Sequence, residues 1–249
     1  MPKFSIITVT YNAEKFIKKT MQSVANQSFK DFEYIIIDGN SKDKTLEIIN
    51  NFQSLPENFK GLCEPDSGLY DAMNKGLAMA TGEFVWFINA GNAIYSPYTL
   101  EKINSEISNL KSQIDIIYGQ SLIVNENGKP LGERHKIAPK ILTKNSFLNG
   151  LVVCHQSILV RREIAQNYNL NYTVSADYDW VLNAFEKSQE NLYIDDYLSK
   201  FMTSGISAQK RKLSWKERFK IMKNHFGLLK TLFAHILIIL KYPFSRKYL

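Results

Sequence analysis

The sequence predicts an α/β domain, a mixed and mostly parallel sheet covered by helices, followed by an amphipathic helical tail. Three observations carry this expectation. Residues 4–9, 32–37 and 84–88 are nearly continuous apolar runs, as strands buried on both faces require. Between them, apolar residues recur at helical spacing, first as Phe16, Ile17, Met21 and Val24 and later as Leu69, Met73, Leu77 and Ala80. Each run also stops abruptly in polar residues, and ligands of open α/β sheets bind outside such strand ends. Alternating strands and helices joined by right-handed crossovers give a parallel, doubly covered sheet.

The elements follow in order. Residues 3–10 form the first strand, running into Tyr11-Asn12, and a helix follows over residues 16–24. The second strand ends in Asp38-Gly39-Asn40-Ser41, with Asn40 or Ser41 expected to cap a helix over residues 42–52. A short third strand precedes Glu64. The next helix is expected to start at Asp66 or Ser67 and to stop at a left-handed Gly82. The strand after it ends in Asn89-Ala90-Gly91-Asn92. Ser96-Pro97 signals a further helix to about residue 110. Strands at residues 114–118 and 121–124, with a two-residue turn at Asn127-Gly128 into residues 129–134, mark a change to antiparallel pairing. A helix toward residue 148, a strand near residues 156–160, a helix over residues 177–186 and an extended segment over residues 192–202 complete the domain. No repeat or low-complexity linker interrupts it, so residues 1–209 read as one domain and residues 210–249 as the tail.

The chain has 249 residues, enough to bury a sizeable core, and 45% hydrophobic composition. Its two cysteines, Cys63 and Cys154, offer no disulfide framework and are expected to be small buried hydrophobes. With no leader pattern before Phe4, the expected location is the reducing cytoplasm. The net charge of +7 is unevenly placed: the tail carries eleven Lys or Arg against Glu217 alone, a net of +10, leaving −3 for the first 209 residues. Positive charge confined to a tail among large aliphatics argues against a nucleic-acid partner. No zinc spacing, Ser-His-Asp pattern or glycine-rich phosphate loop is present.

Taken alone, Asp38 at a strand end is either a turn-former or an acceptor for a base N–H or ribose hydroxyl. Tyr11 at the neighbouring strand end could stack on a base. Thr8 to Asn12, Ile35 to Ser41 and Glu64 to Gly76 together resemble the amino-terminal half of family 2 glycosyltransferases, which have the Rossmann-like GT-A fold. The resemblance resumes at His155-Gln156 and at Ala176-Asp177-Tyr178-Asp179. The segment Asp-Ala-Met-Asn-Lys-Gly is most similar to bacterial enzymes of colanic-acid, capsule or O-antigen synthesis.

The resemblance implies inverting transfer of a sugar from a nucleotide diphosphate sugar to an acceptor hydroxyl. By position, Thr8, Tyr11 and Asp38 would hold the nucleoside, and Asp66, Asp71 and Asn89 would lie near the ribose or diphosphate, with a cap role for Asp66 left open. Asp177 would be the base, with Asp179 and His155 as supporting or acceptor-binding residues; a lone His is otherwise a satisfied, partly buried side chain. His135, His225 and His235 have no local partners. The family's metal motif is Asp-x-Asp, and here Asn89 to Asn92 replaces it. An amide removes a full charge from the shell of a hard cation. Mg²⁺ or Mn²⁺ held mainly by the sugar nucleotide with Asn92 assisting, a metal-independent enzyme, and a chain that binds donor but turns over poorly all fit that replacement.

In the tail, Lys216, Arg218, Lys220 and Lys223 lie among Trp215, Phe219, Ile221, Met222 and Phe226. The fifteen residues 226–240 contain Lys230 and His235 and fall short of the roughly 20 that a membrane span needs. A helix lying on the inner face of the cell membrane is expected, with a helix packed on the catalytic domain or on a second subunit as the alternative. The expected partners are the sugar nucleotide, a polyprenyl-linked or saccharide acceptor, and that membrane surface.

Overall fold

The computed structural model describes residues 1–202 and 210–245. The expected boundary at residue 209 and the last four residues lie outside them. The strands are β1 (Phe4–Thr10), β2 (Phe32–Asp38), β3 (Phe59–Cys63), β4 (Phe84–Phe87), β5 (Ala93–Ile94), β6 (Ile116–Val124), β7 (Pro130–Glu133), β8 (Ile158–Arg161) and β9 (Asn191–Met202). The helices are α1 (Ile17–Ala25), α2 (Thr45–Asn50), α3 (Leu69–Met79), α4 (Thr99–Ser108), α5 (Ala176–Lys187), α6 (Arg211–Phe226) and α7 (Leu228–Ser245). One sheet runs β3-β2-β1-β4-β8-β6-β9-β5, with β7 paired to β6. Its first four strands are mutually parallel, β8 is antiparallel to both neighbours, and β6 and β9 are again parallel.

Every residue of β1 and β2 is buried, which is why these strands read as unbroken apolar runs. Alternation then sorts their side chains between two cores. Ile7, Val9, Ile35, Ile37, Val85 and Phe87 face α3, α5 and α6. Phe4, Ile6, Tyr34, Ile36, Phe84 and Trp86 face α1 and α4. At the amino-terminal ends of the strands, the Glu33 carboxylate takes hydrogen bonds from Ser5 Oγ (2.6 Å), Lys60 Nζ (2.6 Å) and Thr81 N (2.6 Å). Burial opposes its ionisation, yet these donors bring it down to about 2.

Several local expectations are corrected. The helix before β4 stops at Met79, with Ala80 extended; Gly82 is required instead because a Cβ there would lie 2.7 Å from Ser5 N. Neither Asp66 nor Ser67 is the helix cap; Gly68 is, at φ +123°, and Asp71 reaches back to accept from Ser67 N (2.9 Å). Asn40 and Ser41 do not cap α2, which begins only at Thr45. The hairpin loop exceeds two residues: Gly128 alone has positive φ (+79°), and its N–H donates to Asn125 O (2.8 Å). Residues 116–124 form one strand where two were expected, and residues 144–149 form a 3₁₀ helix.

The tail is two helices broken at Gly227 (φ +80°). Its first helix, α6, packs on the catalytic domain through the buried Ile221 and Met222, which is the alternative weighed against membrane contact.

Candidate active site

The carboxyl ends of β1, β2 and β4 and the starts of α3 and α5 enclose the expected residues. Tyr11 follows β1 and is 61% exposed. Across from it, a Cβ at Gly39 would strike the Asp66 carboxylate and come within 3.3 Å of the Tyr11 ring. The missing side chain therefore lets Tyr11 and Asp66 close over the end of β2. Asp66 Oδ1 also accepts from Gly68 N (2.9 Å), so it shapes the turn while remaining half-buried.

Asp38 is 1% exposed and accepts from Ser41 N (2.8 Å) and Ser41 Oγ (2.6 Å). Cys63 Sγ lies 3.3 Å from its Oδ1; Cys63 is exposed rather than buried, whereas Cys154 is buried. A carboxylate has about four acceptor positions, so these contacts fix Asp38 without exhausting it. Asp71 is held by Ser67 N and Lys75, and Lys75 also pairs with Glu64 at 2.9 Å.

Thr8 is corrected. It lies inside β1 with no exposure, donating to Ile88 O (2.7 Å) and bonding Tyr34 Oη (3.0 Å). Two residues on, Thr10 ends the strand with a buried hydroxyl that has no partner. Ligands of open α/β sheets bind at strand ends, and Thr10 stands nearer that end than Thr8.

At the end of β4, Asn89 N donates to Gln156 Oε1 (2.7 Å) while Asn89 Oδ1 is buried and unpartnered. Asn92 is buried, and its Oδ1 accepts from Met202 N (3.0 Å), joining the β4 end to β9. Among the described residues no group of three or more His, Cys, Asp or Glu is placed to hold a metal ion. One neutral oxygen from Asn89 does not fit a protein-held divalent cation.

Asp177 sits half-buried in the first turn of α5. Its Oδ1 accepts from Tyr178 N (2.9 Å) and from Tyr70 Oη (3.3 Å), a residue of α3. Burial and the Asp177 charge push the Tyr70 hydroxyl well up, so it stays a neutral donor. This tyrosine couples α3 to the start of α5, the helix of the expected base.

The chain matches known proteins in both sequence and fold. Residues 5–168 match the model described as Glycosyl transferase family 2. The chain belongs to that family. A PGL/p-HBAD biosynthesis glycosyltransferase of Mycobacterium bovis is 33% identical over 188 residues, covering 74% of this chain and 70% of the relative. Among solved structures, TarS 1-349 of S. aureus in complex with UDP superposes with a TM-score of 0.72 at 22% identity, covering 99% of this chain and 73% of that one. The Pyrobaculum calidifontis mannosyltransferase PcManGT, in complex with GDP-Man and Mn²⁺, gives 0.67 at 16% identity over 98% and 72%. This family 2 glycosyltransferase has the GT-A fold, as its sequence implied.

Two expected site residues of the transferase point elsewhere. His155 is 5% exposed, bonded through Nε2 to Tyr168 Oη (2.7 Å) and surrounded by Phe87, Tyr168 and Trp180. Burial brings it down to about 4, so it is a neutral core residue. Asp179 turns to α6, where His225 Nε2 lies 3.0 Å from its Oδ1; His225 Nδ1 lies 2.9 Å from Glu186. Burial works against protonating His225, but the two carboxylates prevail and raise it. Nearby, Glu217 accepts from the backbone N–H groups of Thr173 (2.8 Å), Val174 (3.0 Å) and Ser175 (2.8 Å), the segment that launches α5. Nothing local in the sequence marked Glu217 or His225, because their partners are about forty residues away.

Proposed function

We propose that the chain is an inverting transferase that moves a sugar from a nucleotide diphosphate sugar to a hydroxyl of a lipid-linked saccharide during surface polysaccharide synthesis, working at the inner face of the cell membrane. The observation that carries this reading is the placement of Asp177. It is half-buried at the start of a helix, held through one oxygen by Tyr70, with no protein partner recorded for its Oδ2 among the described residues.

Tyr11 stacks on the base, Asp38 accepts from the base or ribose, and Asp66, Thr10 and Asn89 border the ribose and diphosphate. Asp177 takes the acceptor proton as the acceptor oxygen attacks the anomeric carbon from the face opposite the leaving group. The bond from that carbon to the diphosphate oxygen breaks, and its electron pair leaves with the nucleoside diphosphate. A divalent cation arriving with the donor would be held by the diphosphate itself, as Asn92 is already bonded to β9.

Asp177→Asn keeps the shape and removes the base. Transfer should fall below detection while nucleotide binding by calorimetry stays within about twofold. Retention of most activity removes Asp177 from the role. The Asn89 and Asn92 pair favours a second reading, a sugar-nucleotide-binding partner protein with weak turnover. A hydrolysis screen of UDP- and GDP-sugars with Mg²⁺, Mn²⁺ or chelator separates the two, since binding without turnover of any donor selects the second.

A further inference from the structure

Near Asp177, whose charge acts on Arg134, three cations meet without an ion pair among the described residues. Arg134 follows β7 and donates through Nη1 to Val152 O (3.0 Å) and through Nη2 to Leu151 O (2.9 Å). Lys136 Nζ donates to Asn149 O (2.6 Å). Arg218 approaches from α6, and its Nε is buried without a partner. None of the three is in an ion pair among the described residues.

Lys136 and Arg218 converge on Gly150, and Arg134 holds the carbonyls of the two residues that follow this glycine. The point where a Cβ would stand on that residue is 3.0 Å from Lys136 Nζ and 4.0 Å from Arg218 Nη1, and Gly150 holds a φ of +81° that favours glycine. A side chain at Gly150 would crowd Lys136, so glycine there is what lets both cations reach this loop. Tyr178, the residue after Asp177, donates to Phe147 O (2.5 Å) in the same loop and so joins this pocket to the start of α5.

The three half-buried cations repel one another, and Asp177 offsets this at Arg134. Burial and the charges of Arg218 and Arg134 bring Lys136 down to about 8, and His135 is lowered by burial and by the same neighbours. Like charges brought together out of water disfavour their own ionisation. Backbone carbonyls satisfy some of the N–H groups but supply no counter-charge. Guanidinium forks with an ammonium group match the oxygens of phosphate better than those of any neutral ligand.

Topology separates this pocket from the nucleoside. Tyr11 and Asp38 end β1 and β2, whereas Arg134 follows β7, which pairs with β6, and β4 and β8 lie between β1 and β6. We propose that Arg134, Lys136 and Arg218 form a binding site for a phosphate or diphosphate group carried by the acceptor, distinct from the diphosphate of the donor. This rests on the reading of Asp177 as the base, which defines the acceptor side.

The test is calorimetric titration of inorganic pyrophosphate into the full chain, alone and with saturating UDP, with a parallel series in GDP. Pyrophosphate should bind in the presence of the nucleotide. The double variant Lys136→Gln, Arg218→Gln should weaken that binding by about tenfold or more, while Lys140→Gln, at an exposed lysine paired with Asp195, leaves it unchanged. Retained nucleotide binding reports that the variants fold, and Lys136→Gln alone, which keeps an N–H for Asn149 O, carries the test should the double variant fail to fold. Equal pyrophosphate affinity in wild type and variant overturns the proposal. So does displacement by UDP or GDP, which would assign the cluster to the donor's diphosphate. The same titration in Asp177→Asn separates this site from the mechanism, because pyrophosphate should bind there at least as tightly as in wild type, the Asp177 charge beside Arg134 being gone, whatever the variant does to transfer.

Discussion

At the scale of single residues, two histidines with opposite surroundings make opposite contributions to stability. His155 is lowered to about 4 from an ordinary value of 6.5 by burial, against the weaker pull of the Asp177 charge. The unfolded chain takes up a proton near pH 6.5, whereas the folded chain does not until about pH 4. Between those limits the unfolded state binds more protons, so stability drains away as pH falls through that window. His225, raised by Asp179 and Glu186 despite burial, contributes stability that is fully present below pH 6.5 and is lost as pH rises through its folded value. Denaturant midpoints measured from pH 7 to pH 4 should therefore decline less steeply in His155→Gln than in wild type. Parallel curves would place the acid sensitivity in other groups.

At the scale of elements, the decisive contact is between α6 and the start of α5. Ser175 caps α5 without a side-chain hydrogen bond to its own helix, and Glu217 supplies the acceptors from α6. Removing a buried carboxylate leaves three N–H groups without partners, so Glu217→Ala should cost about 3 kcal/mol in denaturant unfolding. It should also lower kcat with little change in nucleotide affinity, since Asp177 rides on the loosened turn. Glu217→Gln, which keeps an acceptor oxygen, should recover part of both, and unchanged stability in Glu217→Ala would show that the contact is incidental. This contact also marks where the sequence stops being legible. The parallel half of the sheet could be read because β1, β2 and β4 are apolar on both faces, and so could the positions of Tyr11, Asp38 and Asp177 at strand or helix ends. Thr8 against Thr10 was a matter of two residues along a strand, which composition does not resolve. Asp179 with His225, and Glu217 with residues 173–175, pair over long sequence separations that no local pattern encodes.

At the scale of the whole molecule, the two helices of the tail differ in what they bury and what they expose. The first helix completes the domain, so cutting the chain before residue 213 would remove Glu217, Ile221 and Met222 and unfold part of the catalytic half. The second helix, α7, buries Thr231 and Ala234 on one side and exposes Leu229 (83%), Leu232, Phe233 (64%), Ile236, Leu237 and Leu240 on the other. Those six positions fall at the three- and four-residue spacing of one helical stripe. No helix among the described residues is long and apolar enough to cross a membrane. An apolar stripe on a tail rich in Lys and Arg is suited to lying in the boundary between acyl chains and anionic headgroups. Immersing one such side chain contributes about 2 kcal/mol, so a few decide the partition. Phe233→Asp with Ile236→Asp alters the exposed stripe while sparing the buried side. In flotation with phosphatidylcholine vesicles containing about one third phosphatidylglycerol, this variant should lose at least about tenfold in bound fraction. Its hydrolysis of a water-soluble donor should be unchanged, because α6 and the residues around Asp177 are untouched. Equal flotation of variant and wild type would remove the stripe from membrane contact and leave α7 as a surface for another protein.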